Sequence, residues 1–204
     1  MTQALSSKDL SSEDLSRKIL ASKVLPGSPG VWLFIYIELT TFALLFLAYA
    51  VQFRLNSDMF NQGQAQLHLS IGISSTVFLL TASALVVASV NALHRQYLNS
   101  ARHYLSLALL MGLGYVVGKV WEWVQLYKLG YSLHCDVYFF FYFFLTLFHW
   151  LHVLFGIIML TTIRVKLNNP EKYPVDMTAI ESVASYWHMV DLLWLLVFLL
   201  VYIM

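Results

Sequence analysis

The sequence predicts an all-α integral membrane protein, a bundle of five transmembrane helices, and three observations carry that expectation. Of its 204 residues, 59% are hydrophobic and only 11% charged, against about 25% charged in an ordinary soluble domain. Mean hydropathy is +0.69. Five apolar stretches follow one another, separated by polar turns, and each is close to the roughly 20 residues needed to cross a hydrocarbon core.

Taken in order, residues 1–29 form a polar, Ser-rich segment with Lys8, Arg17, Lys18 and Lys23 against Asp9, Glu13 and Asp14. No apolar h-region follows a short basic start, so a cleaved signal peptide is not expected. Residues 12–20 suit a short surface helix with Ser12 as its N-cap, and Pro26, Gly27, Pro29 and Gly30 punctuate the entry into the membrane. Residues 30–204 then make one five-helix membrane domain, with spans at about 31–53, 69–93, 104–127, 137–164 and 182–204. The connections are loops at 56–68 and 165–181, a tight basic turn at 94–103 and a turn at 128–136. No proline falls inside a span and no internal repeat is visible, so transporter-style inverted repeats have no support.

Charge sets the orientation. The N-terminus and the second and fourth connections share one side and carry nine basic residues: Lys8, Arg17, Lys18, Lys23, Arg95, Arg102, Arg164, Lys166 and Lys172. The other side carries two, Arg54 and Lys128. The asymmetry predicts a cytoplasmic N-terminus and a C-terminus outside, which is periplasmic in a bacterial inner membrane. A net charge of +1 offers no field for nucleic acid, so none is expected as a partner. The single cysteine, Cys135, excludes an internal disulfide and a Cys-based metal cluster.

Polar residues inside the spans are the candidate functional residues, because a charged group in hydrocarbon costs roughly 2.5–3.5 kcal/mol on insertion scales and therefore faces protein. The first span carries Glu38, the third Lys119 and Glu122, the fourth His149 and His152, and the fifth His188 and Asp191. At 1.5 Å rise per residue, Glu38, His152 and Asp191 lie roughly 12–18 Å from the cytoplasmic edge. Glu38, His149, His152, His188 and Asp191 are expected to form one buried polar network. A carboxyl at the depth of Glu38 either keeps its proton or is answered by a histidine. Lys119 and Glu122, one turn apart beside Trp121 and Trp123, read as a local ion pair near the outer interface.

Two histidines at i and i+3 on one helix cannot clamp a single haem from both faces. A dimetal site assembled from HxxH, HxxD and Glu38 is geometrically open. The simpler reading is hydrogen bonding between helices, about 0.6 kcal/mol per contact. There is no GxSxG, phosphate loop or Cys pair. The composition points to a subunit without an active site, catalytic residues, or a metal or cofactor of its own. Two other readings stay open: a stand-alone proton-coupled carrier using Glu38, His149, His152 and Asp191, and an independent membrane metalloenzyme.

The order of motifs resembles subunit III of haem–copper oxidases (cytochrome c oxidase subunit III) in a five-helix form. PGSPGVWLFIYIELTTFALLFLAY is similar to that family's first helix, with Glu38 at the place of its intramembrane glutamate. SIGISSTVFLLTASALVVASVNA resembles the next helix, and GKVWEWVQL a glutamate-bearing segment at Glu122. FYFFLTLFHWLHVLFG is similar to the TGxHGxHV signature and ESVASYWHMVDLLWLLVFLLVY to YWHxVDxxW, with Glu181 upstream. One departure is that TGxHG becomes Thr146-Leu147-Phe148-His149-Trp150, placing tryptophan where a small residue would let backbones approach. DMFNQGQAQL and the YWHMVDLLWLLVFLLVYIM ending resemble the branch associated with nitric oxide reductase, the NorE type. The resemblance implies an accessory subunit that holds no haem or copper itself. It implies as partners a haem–copper catalytic subunit bearing haem with copper or iron, and that subunit's electron-accepting subunit. It further implies bound phospholipid from the membrane.

Overall fold

The computed structural model describes residues 29–168 and 176–203. The polar segment before Pro29, with the helix expected at 12–20, and Lys172 in the fourth connection lie outside the described residues. Among the described residues, six α-helices run in order: α1 (Pro29–Leu55), α2 (Ser57–Gln64), α3 (Leu69–His94), α4 (Leu98–Lys128), α5 (Val137–Asn168) and α6 (Met177–Phe198). A π-helical turn at Leu199–Ile203 continues α6. Five helical stretches among the described residues are long and apolar enough to cross a membrane: α1, α3, α4, α5, and α6 with its π turn. Among the described residues there is no strand.

The helices overrun the expected spans because hydropathy marks only their apolar part. α4 begins at Leu98 rather than 104, and its first turns carry Asn99, Arg102 and His103. Arg102 Nε donates to the Leu167 carbonyl at 2.9 Å, satisfying a backbone acceptor near the end of α5. α6 begins at Met177 rather than 182, with the Asp176 carboxylate accepting from the Thr178 and Ala179 amides at 3.0 and 3.4 Å. The loop expected at 56–68 contains α2 instead. Its Phe60 is buried edge-on against Tyr49, Phe53 and Tyr138. Gly63 lies so close to Tyr138 that a Cβ there would sit 2.2 Å from the ring.

α3 and α4 form the tightest pair, an antiparallel hairpin in which small residues allow close approach. Ala82 and Ser89 of α3 and Ala101 and Ala108 of α4 are buried, Gly114 of α4 lies against the Phe78 ring of α3, and the Ser89 hydroxyl donates to the Ala101 carbonyl at 3.0 Å. α6 is the central helix, with Trp187, Val190, Leu193, Trp194 and Val197 buried and α1, α3 and α5 around it. α5 bridges α4 and α6. α1 stands at the margin and turns Leu33, Ile37, Leu44, Leu47, Val51 and Leu55 outward, as a helix bathed in lipid does.

Candidate functional site

The polar side chains named above fall into separate clusters, not one network. The first joins α1 to α5. Glu38 Oε2 lies 3.0 Å from His152 Nε2, beside the rings of Phe42 and Phe148. The other ring nitrogen, Nδ1, lies 2.7 Å from the Phe148 carbonyl, one turn back on α5. A carbonyl only accepts, so Nδ1 carries a hydrogen. The Tyr186 hydroxyl of α6 donates to the His152 carbonyl at 3.1 Å. Three helices therefore meet around one histidine.

The second cluster surrounds His149, which is fully buried. Its Nε2 is 3.0 Å from the Val190 carbonyl of α6 and must donate. Its Nδ1 is therefore free to accept from the Tyr115 hydroxyl of α4 at 3.1 Å. Trp194 packs against both rings, at 5.2 Å from His149 and 5.0 Å from Tyr115. His149 and His152 thus point to different helices, and both nitrogens of each are engaged. Among the described residues, no group of three or more His, Cys, Asp or Glu side chains could hold a metal.

The third cluster joins α3 to α6. His188 Nδ1 lies 2.6 Å from the Ser83 hydroxyl. One turn further along α6, Asp191 is buried, and neither carboxylate oxygen has a hydrogen-bond partner. Asp191 does not reach the Glu38–His152 pair, although the depths of the three along their helices are similar. Helical depth constrains one coordinate only; the direction around each helix decides the partner.

Lys119 and Glu122 form the fourth cluster: the expected ion pair is present at 2.7 Å, and both side chains are buried against the neighbouring helices. Tyr202 in the π turn closes the pair. Its hydroxyl accepts from Lys119 Nζ at 2.7 Å and donates to Glu122, whose two oxygens lie 2.7 and 2.9 Å away. The rings of Tyr142, Trp194 and Tyr202 each stand 5.1 Å from the ammonium, replacing part of its lost hydration. Tyr49 and Tyr138 donate to the carbonyls of Leu200 and Val201 at 2.9 and 3.0 Å. The end of the chain is thereby tied to α1, α4 and α5.

Sequence reasoning missed Ser83, Tyr115, Tyr202, Tyr49 and Tyr138. Only the tyrosines carried a signal, each being a hydroxyl within an apolar run; Ser83 is one of several small residues on α3.

A multi-pass membrane bundle whose interior polar groups mostly bind one another across helices is the class that fold and site define. Residues 2–204 match the cytochrome c oxidase subunit III family, and the chain belongs to it. It is 28% identical to "Cytochrome c oxidase subunit 3" of Corynebacterium diphtheriae, covering 99% of this chain and 98% of that one. It is 26% identical to the protein of the same name from Thermostichus vulcanus, covering 86% of each. It is also 28% identical to "Heme-copper oxidase subunit I+III" of Aeropyrum pernix, covering 85% of this chain and 22% of that longer protein.

Proposed function

We propose that this chain is a non-catalytic accessory subunit of a respiratory haem–copper complex, seated beside the catalytic subunit and stabilising it. The observation that carries the reading is the family match over residues 2–204. A relative named as subunits I and III together supports a side-by-side arrangement of the two in the membrane. The haem, with copper or iron, then belongs to the catalytic partner, and electrons reach that partner through its electron-accepting subunit. Engagement of both ring nitrogens of His149 and His152 supports a structural role for them over a ligating one.

Phospholipid is part of the proposal. Phe34 of α1, Phe155 and Met159 of α5, and Val183 and Tyr186 of α6 line an apolar pocket of about 230 Å³, suited to part of an acyl chain. The nine-to-two distribution of basic residues supports a bacterial inner-membrane protein with its N-terminus cytoplasmic and its C-terminus periplasmic.

Two branches of partner are distinguished by different observations. The DMFNQGQAQL segment and the terminal motif favour a NorE-type subunit beside a nitric oxide reductase. The names of the similar relatives favour a cytochrome c oxidase. A mild-detergent pull-down of the tagged chain, read by visible spectra and mass spectrometry, tests both. Haem b with a nitric oxide reductase catalytic subunit assigns the first branch, and an oxidase subunit bearing haem and copper assigns the second. A colourless chain without partners overturns the proposal and leaves the proton-coupled carrier.

A further inference from the structure

At the end of the bundle where α3 turns into α4, the seam between α3 and α6 opens into a groove of about 250 Å³, lined among others by Asn91, His94, Glu181 and Ser185. Asn91 and His94 are three positions apart on α3, and Glu181 and Ser185 four apart on α6, so each pair shares a face of its helix. His94 Nε2 and Glu181 Oε1 stand 3.4 Å apart, with side-chain exposures of 53% and 28%. The other histidine–carboxylate pair, Glu38 and His152, is closer at 3.0 Å and sits beside two aromatic rings. His94 and Glu181 are farther apart than a hydrogen bond prefers. Their separation instead fits the edge of about 3.3–3.4 Å of a tetrahedron whose central ion bonds nitrogen and oxygen at about 2.0–2.1 Å. Imidazole nitrogen and carboxylate oxygen are both donors that zinc takes. His94 also lies in the last turn of α3, where the helix dipole favours positive charge.

We propose that His94 and Glu181 bind a divalent transition-metal ion of the zinc class, which staples the end of α3 to α6. His94 Nε2 supplies one bond and a Glu181 carboxylate oxygen the second. The side-chain oxygens of Asn91 and Ser185, or water entering the groove, supply the remaining positions. His94 binds as the neutral imidazole, so loading the metal releases any proton that Nε2 carries. Two strong protein donors are fewer than the three of a catalytic zinc centre or the four of a structural one. The site is therefore a reversible one, which tightens the α3–α6 seam when metal is present and leaves the fold standing when it is not. The inference rests on the groove alone and does not depend on which partner the chain has.

Zinc chloride titrated into the full chain in mild detergent tests it. A Cys135→Ser background removes the exposed thiol in the turn after α4, beside His134, as a competing zinc ligand. In that background one zinc ion per chain is expected. Its X-ray absorption spectrum should show one imidazole nitrogen with oxygen neighbours at about 2.0–2.1 Å. His94→Ala and Glu181→Ala should each weaken binding by at least about tenfold, whereas His103→Ala, exposed on α4 outside the groove, should leave it unchanged. Zinc should also raise the midpoint of unfolding of the background chain, and His94→Ala should abolish that rise. A chain that takes up no zinc, a bound ion without an imidazole neighbour, or an affinity that neither groove variant changes overturns the proposal. The absorption spectrum decides the case even where a variant folds poorly, because it is read on the unaltered groove.

Discussion

Glu38 and His152 join α1 to α5 through one contact of 3.0 Å between Oε2 and Nε2. The 2.7 Å contact from Nδ1 to the Phe148 carbonyl requires a hydrogen on Nδ1. The 3.0 Å contact between Nε2 and Glu38 Oε2 needs one more, carried by the imidazolium or by the acid. Both forms bind the helices together, so the pair survives wherever the proton rests. α1 stands at the margin of the bundle, which makes this tie to α5 a large part of its polar attachment.

Removing either partner should therefore loosen α1. Glu38→Ala and His152→Ala should each lower stability by about 1 kcal/mol, within the range of interhelical polar contacts in membranes. Glu38→Gln should cost less, because its amide can donate to Nε2. Unfolding in mild detergent reads the difference. In the intact complex the same alanine variants should reduce durability or turnover while leaving the haem spectrum unchanged. A lost haem signal would refute an accessory role for these residues.

Lys119, Glu122 and Tyr202 make a buried ionic group that is costly to break and cheap to replace as a whole. Glu122→Leu alone leaves an uncompensated ammonium and should destabilise by about 3–5 kcal/mol. The double variant Lys119→Met, Glu122→Leu should recover most of that loss, since a matched apolar pair removes both desolvation penalties. Tyr202→Phe removes hydrogen bonds to charged groups and should cost about 1.5–3 kcal/mol. A double-mutant cycle on unfolding free energies checks the coupling; additive single and double effects would contradict the geometry.

The five spans were legible because apolar runs of membrane length are rare outside spanning helices. Helix ends were less so: α4 and α6 extend past the apolar core on polar residues such as Asn99 and Glu181, which hydropathy counts as loop. The Lys119–Glu122 pair was legible from its spacing, but its burial was not. Its closing group, Tyr202, lies 80 positions from Glu122 in the chain, and only a π turn at the end of α6 brings it there. Glu38 and His152 could be matched by depth, whereas Asp191 at a similar depth faces another way. Periodicity gives height along a helix; the azimuth comes from packing, which here is set by α6 at the centre.

Gly63 is the seat for Tyr138. A methyl group there would come 2.2 Å from the Tyr138 ring, and backbone and ring would both have to move. Gly63→Ala should cost about 1–3 kcal/mol, the usual penalty for overpacking. It should also weaken the 3.0 Å bond from the Tyr138 hydroxyl to the Val201 carbonyl. Faster amide exchange in the π turn of the variant, measured in detergent, is the expected signature. Unchanged protection there would separate α2 packing from the chain end.

Gln96 occupies a position that favours glycine. The turn between α3 and α4 closes with the Tyr97 amide on the Ala92 carbonyl and the Gln96 amide on the Leu93 carbonyl, both at 2.9 Å. That is the six-to-one and five-to-two pattern of a Schellman cap, and it sets the intervening residue in the left-handed region. Gln96 has φ +64°, whereas the turn after α4 uses Gly130 at φ +91°. A side chain in this region costs about 1–2 kcal/mol; glycine returns roughly 0.5–1 kcal/mol of that as unfolded-state entropy. Gln96 is exposed and its side chain fills no cavity. Gln96→Gly should therefore stabilise the chain by about 0.5–1 kcal/mol, seen as a higher midpoint of unfolding in mild detergent. Gln96→Val should move the midpoint down, because a β-branched side chain is least tolerated at positive φ.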